Sequence, residues 1–106
     1  MLAVKKQWGF KMTIIVKNLR RPGQILDSSK LAQLGAMVSS SIKSRSNGRY
    51  IATSRIQGNQ LAVNVRQLNP ETGAYVKTTK DEQIILAGRI SSFLQQQGIS
   101  ADVQVK

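Results

Sequence analysis

Residues 49–57 read RYIATSRIQ and residues 60–68 read QLAVNVRQL, with Gly58-Asn59 between them. Two runs rich in β-branched residues, joined by a Gly-first dipeptide, predict a β-hairpin with a two-residue turn. Such a turn sets the register. Ile56 then faces Leu61, Ser54 faces Val63, Ala52 faces Val65 and Tyr50 faces Gln67, and these side chains share one largely apolar face. The opposite face pairs Arg55 with Ala62, Thr53 with Asn64, Ile51 with Arg66 and Arg49 with Leu68. The turn alone brings the two apolar sets together, which marks a half-buried antiparallel sheet.

The flanking segments supply the other layer. Upstream, Thr13 to Lys17 is a short β-branched strand, followed by a basic loop Asn18-Leu19-Arg20-Arg21-Pro22-Gly23. Asp27 is placed to cap a helix running to about Lys43. Leu31, Leu34, Val38 and Ile42 recur at helical spacing, and Gly35 on the same side allows a close approach to the sheet. Asn47-Gly48 ends this segment. Downstream, Asn69 to Gly73 is a turn and Ala74 to Lys77 a short strand. Thr79-Lys80-Asp81-Glu82 has the capping-box form, Thr then Glu three residues on. Its helix runs to about Gln97 on the stripe Leu86, Ile90, Phe93 and Leu94, with Gly98 as its stop. Ile99, Ala101, Val103 and Val105 then alternate with polar residues in a last strand to Lys106. The order predicts an α+β sandwich with two helices on one face of an antiparallel sheet. The simplest topology is the split β-α-β-β-α-β, ferredoxin-like arrangement, with an extra short strand at 74–77.

The chain has 106 residues, one domain's length, with 41% hydrophobic and 20% charged residues. Sixteen Lys and Arg stand against five Asp and Glu, a net charge of +11, and there is neither Cys nor His. Disulfides, Cys/His zinc sites, thiol nucleophiles and His-based acid–base catalysis are therefore excluded. Of the carboxylates, Asp27 and Glu82 have capping positions, Asp81 sits in a first helical turn, Glu71 lies in a turn and Asp102 in the last strand. No spacing suggests a metal pair, and no serine has a nucleophile-elbow frame. The glycines fall singly, without a phosphate-cradling loop. The expectation is a protein that is not an enzyme and holds no cofactor or metal. No apolar run approaches the length of a membrane span or a signal peptide, so the chain reads as cytoplasmic with no membrane partner.

Residues 1–11 follow neither period and carry Lys5, Lys6 and Lys11 around Trp8 and Phe10. They read as a basic tail before a domain at 12–106, or as an extension upstream of a start at Met12.

If helices cover the apolar side of the hairpin, the open side carries Arg49, Arg55 and Arg66 with Thr53 and Asn64 between them. Ile14 and Val16 point inward on the first strand, and Lys17 joins the open side. Arg20 and Arg21 extend it through the following loop. Cations with amide and hydroxyl donors on a rigid sheet match a phosphate-binding surface. Charge of this kind also keeps a bare sheet face soluble and blocks edge pairing.

Ile14-Ile15-Val16-Lys17-Asn18-Leu19 resembles the first-strand motif of RNA-recognition motif domains, with Ile15 where that family places a base-stacking aromatic. That family's Gly/aromatic motif is absent from the third strand, Gln60 to Arg66, so the resemblance does not imply base stacking here. The segment from Asp27 to Gln97 is similar in element order to double-stranded-RNA-binding domains, with Lys77 and Lys80 near that family's phosphate-binding lysines. The Gly-His and Lys-Lys clusters of that family are missing, and no membership is assigned from either resemblance.

The expected function is a small basic protein that binds nucleic acid, DNA or RNA, through backbone phosphates. The candidate site is Lys17, Arg20, Arg21, Arg49, Arg55, Asn64 and Arg66. The alternative is a non-enzymatic structural or adaptor subunit, of the type found in phages and mobile elements. Such a subunit would meet an acidic protein or form a homodimer through a sheet edge, or through the open face with Ile51, Ala62 and Leu68.

Overall fold

The computed structural model describes residues 13–106. The expectations for residues 1–11 and for Met12 lie outside them. Seven elements follow one another: β1 (Ile14–Arg20), α1 (Ser28–Arg45), β2 (Tyr50–Gln57), β3 (Gln60–Leu68), β4 (Tyr75–Lys77), α2 (Lys80–Gln96) and β5 (Ser100–Val105). The strands form one antiparallel sheet in the order β2-β3-β1-β5, with β4 also on β3. This is the mixed α+β arrangement expected, and its strand order is compatible with a ferredoxin-like fold.

The hairpin holds the register that its turn dictates. Ile56 pairs with Leu61, Ser54 with Val63, Ala52 with Val65 and Tyr50 with Gln67. Gly58 takes φ +65° at the first central position, as a type II′ hairpin turn requires. β3 is the hub of the sheet. One edge pairs with β2 throughout, while the other takes β1 at Leu61–Val63 and then β4 at Arg66–Leu68.

Both helices begin as their first residues direct. The Asp27 side chain accepts from the Lys30 N–H at 3.0 Å. Thr79 and Glu82 form the full capping box. Leu31, Leu34, Val38 and Ile42 of α1 and Leu86, Ile90 and Leu94 of α2 close over Ile14, Val16, Leu61, Val63 and Val65. Each fully buried aliphatic side chain contributes on the order of 1.5–3 kcal/mol. Gly35 sets the depth of α1 on the sheet: a Cβ there would collide with Ser54 Oγ and lie 3.1 Å from Ser54 Cβ.

One boundary differs from expectation. The strand expected to end at Lys17 continues to Arg20, through what reads in sequence as loop. Lys17 pairs with Asp102 and Arg20 with Ser100, so β1 advances three residues where β5 advances two. This is a bulge, and Asn18 absorbs it with φ +57°, a left-handed conformation that Asn tolerates better than most residues. The extra residue reverses the alternation. Leu19 packs on the core, and Arg20, which strict alternation would bury, shares the exposed side of Ser100.

The close approach at Gly35 generates a prediction. Gly35→Ala gains about 1 kcal/mol of helix propensity. It forces α1 off β2 at a packing cost of roughly 1–3 kcal/mol. Chemical denaturation should show net destabilisation, and adding Ser54→Gly should recover most of it. A stabilised single variant would show that the helix does not need this contact.

Candidate functional site

The face of the sheet away from the helices is organised by cross-strand rows. One row runs Arg55, Ala62, Ile15, Gln104 and the next Thr53, Asn64, Thr13. A third sets Ile51, Arg66 and Lys77 side by side. Lys17 and Asp102 face one another on β1 and β5, with Arg20 beyond the bulge. Arg20, Arg55, Arg66 and Lys77 are exposed and Lys17 is half-buried. Asp102 is the one carboxylate in the five strands. Its Oδ2 accepts from Asn18 Nδ2 at 2.6 Å, which orients it.

Asn64 lies between the arginines as expected. Its Oδ1 accepts from the Thr13 hydroxyl at 3.2 Å, so its amide nitrogen is what the side chain has left to donate. The floor of the face is apolar and closed. Ile15 is 8% exposed and Ala62 1%, so Ala62 does not present the open apolar surface expected of it. Arg55 and Arg66 stand four residues apart in register, roughly 14 Å along the strands at about 3.4 Å per residue. The cations form a spaced band and not a pocket.

Two of the expected site residues go elsewhere. Arg21 follows Arg20 and so points back toward the helical layer, where it donates to the Gln97 carbonyl at 2.8 Å and to Gln24 Oε1 at 3.0 Å. The first of those bonds ties the end of β1 to the end of α2; the second is local to the turn after β1. Arg49 is opposite Leu68 by its backbone, with the Leu68 N–H on its carbonyl at 2.8 Å. Being outside the strand proper, it lines a cleft of about 370 Å³ at the end of the helices, with Arg45, Arg89 and Glu82. As a phosphate-binding residue, Lys77 enters the sequence reading only through the likeness to double-stranded-RNA-binding domains, and it is not in the candidate site expected there. The strand was legible but not its register, and only the β3–β4 pairing puts Lys77 opposite Arg66.

The helical cleft has its own electrostatics. Glu82 is held below the usual carboxylate range, first by the Thr79 backbone N–H. The Thr79 and Tyr50 hydroxyls and the Arg49 charge act the same way, against some desolvation. Tyr50 donates to Glu82 Oε2 at 3.2 Å. Its phenol is raised, by burial first and then by the Glu82 charge and hydrogen bond, with Arg49 and Arg89 opposing. Glu82 is thus fully employed in holding α2 and β2 together.

Among the described residues no helix is long and apolar enough to cross a membrane. No known protein family, curated protein or solved structure matches the chain.

The lowered Glu82 value sets a pH dependence. Its contribution to stability is fully present above its ordinary value of 4.5 and is lost as pH falls through the lower folded value. Glu82→Gln should therefore flatten the acid limb of the stability–pH curve below about 4.5. Thr79→Ala should cost about 1 kcal/mol at neutral pH by removing the cap. An unchanged acid limb in Glu82→Gln would mean that other carboxylates govern acid unfolding.

Proposed function

We propose that this protein binds nucleic acid through backbone phosphates, on the open sheet face of Lys17, Arg20, Arg55, Arg66 and Lys77. Asn64 is a neutral donor among them. The observation that carries the reading is the spaced cation band itself. Arg55 and Arg66, roughly 14 Å apart along the strands, are too far separated to share one small anion. They suit a polymer that presents phosphates at intervals.

The Arg66–Lys77 pair supports the same reading. Like charges directly opposite on neighbouring strands repel and weaken the sheet locally. A phosphate lying across them relieves that repulsion, so the local instability of the free protein becomes binding energy. β1 to β3 carry no aromatic side chain on the open side, and Tyr75, which shares the side of Lys77 on β4, is half-buried with its hydroxyl on the Gly48 carbonyl at 2.9 Å; this favours shape- and backbone-directed contact over base stacking.

The revised membership of the site sharpens the test. If about four phosphates of a duplex are neutralised, log affinity falls with log salt at a slope of roughly −3 to −4. Arg55→Ala with Arg66→Ala should weaken binding to all sequences alike and flatten the slope by about two units, one per lost contact. Lys30→Ala with Lys43→Ala, on the helical side, should leave the slope within about half a unit of its starting value. Fluorescence anisotropy with a labelled duplex and a labelled single strand, over a salt series, reads all of this. If no DNA or RNA binds at low salt, or if the helical pair is the more damaging, the proposal fails.

A further inference from the structure

β5 is the last strand in the sheet order, with β1 as its neighbour on one side among the described residues. Its other edge carries little of the usual protection. It is six residues long, contains no Pro, and follows β1 in register without a bulge on its own side; its charges are Asp102 and, directly after it, Lys106. The direction of its hydrogen bonds can be worked out. Thr13 and Lys106 exchange both backbone bonds, at 3.0 and 2.9 Å. Such pairs alternate in an antiparallel ladder. Asp102 and Gln104 therefore bond inward to β1, and Ala101, Val103 and Val105 turn their N–H and C=O groups to the free side.

The surface beside this edge is largely apolar, with Lys80 and Ser91 among its lining residues. Ile84 is 52% exposed on α2. Together with Ala87, Gly88, Val103 and Val105 it lines an open groove of about 490 Å³ along the edge. Among the described residues, no side chain from another element lies within 4 Å of where a Gly88 Cβ would stand.

The charges along the edge identify the occupant. Asp102 and Lys106 lie on the open-face side of the strand, two residues either side of Gln104. In an antiparallel pairing of β5 with a second β5 centred on Gln104, Asp102 of each copy faces Lys106 of the other. The same register sets Val103 against Val105 of the second copy as hydrogen-bonded pairs, which is where the free N–H and C=O groups are. Shifting the centre to Val103 keeps the backbone bonds but sets Asp102 against Gln104 and Lys106 against Ser100. Charge complementarity therefore selects the first register.

We infer that the protein forms a two-fold homodimer through β5, with Gln104 facing Gln104 of the second copy on the axis. The two sheets become one, with all four helices on one side and Ile84 of each copy brought to the seam. This inference goes beyond the nucleic-acid reading and does not depend on it, because the edge is complete whatever the open face binds.

The chain has no cysteine, so single cysteines report the seam directly. Gln104→Cys puts two thiols on a non-hydrogen-bonded pair with Cα atoms about 4.5 Å apart, within the range a disulfide accepts. Mild oxidation should convert most of it to a covalent dimer. Val103→Cys should cross-link less, and Thr53→Cys on the opposite edge strand not at all. In sedimentation, Asp102→Lys and Lys106→Asp should each weaken the dimer about tenfold, and the two together should restore it. Circular dichroism of each variant checks the fold. A wild-type chain that stays monomeric at every concentration overturns the inference. So does equal cross-linking at Thr53, or preferential cross-linking at Val103, or a charge swap without rescue.

Discussion

The register of the β2–β3 hairpin is the constraint on which the rest depends. A two-residue turn leaves one way to pair the strands, and that pairing gathers Ile56, Ala52, Leu61, Val63 and Val65 on one side. A slip of one residue would exchange the faces, placing arginines under the helices and aliphatic residues in water. Every other element reads its position from this pair. β1 and β4 divide one edge of β3 between them, and α1 settles on β2 where Gly35 meets Ser54. The core and the cationic face are thus two outcomes of one turn.

A second, smaller constraint modifies the first. The bulge at Asn18 changes the parity of β1. Upstream, Ile14 and Val16 are core; downstream, Leu19 is core and Arg20 is outside. Two consecutive arginines are thereby assigned to opposite layers. Arg20 remains on the open face, while Arg21 ties the strand to the carbonyl of Gln97. One backbone irregularity accounts for both the extended strand and the divided pair.

This explains which parts were legible in the sequence. The hairpin, the Asp27 cap and the Thr79–Glu82 capping box are local signals, complete within a few residues, and each appears where its residues stand. Arg55, Asn64 and Arg66 inherited their face from the hairpin and so were readable. Arg21, Arg49 and Lys77 depended on non-local facts: a bulge, the end of a strand beside two helices, and the register of a three-residue strand. Alternation carries a residue's face along a strand only while the strand is regular, and it carries nothing across an unspecified pairing.

The same parity logic connects the cationic face to the edge of β5. Asp102 and Lys106 share a side with Lys17 through the β1–β5 register, and the bulge at Asn18 brings Arg20 to the same side. Asp102 is therefore the one strand carboxylate, set at the margin of a field of like charges. In an isolated chain it faces Lys17 and accepts from Asn18, which leaves carboxylate lone pairs free on its outer side. An acidic residue at the centre of the band would weaken its positive field. At the margin it leaves the band intact and supplies the charge that a neighbouring strand's lysine can meet. Net charge disfavours the approach of two copies of a chain at +11, and the edge of β5 offers a local opposite charge against it.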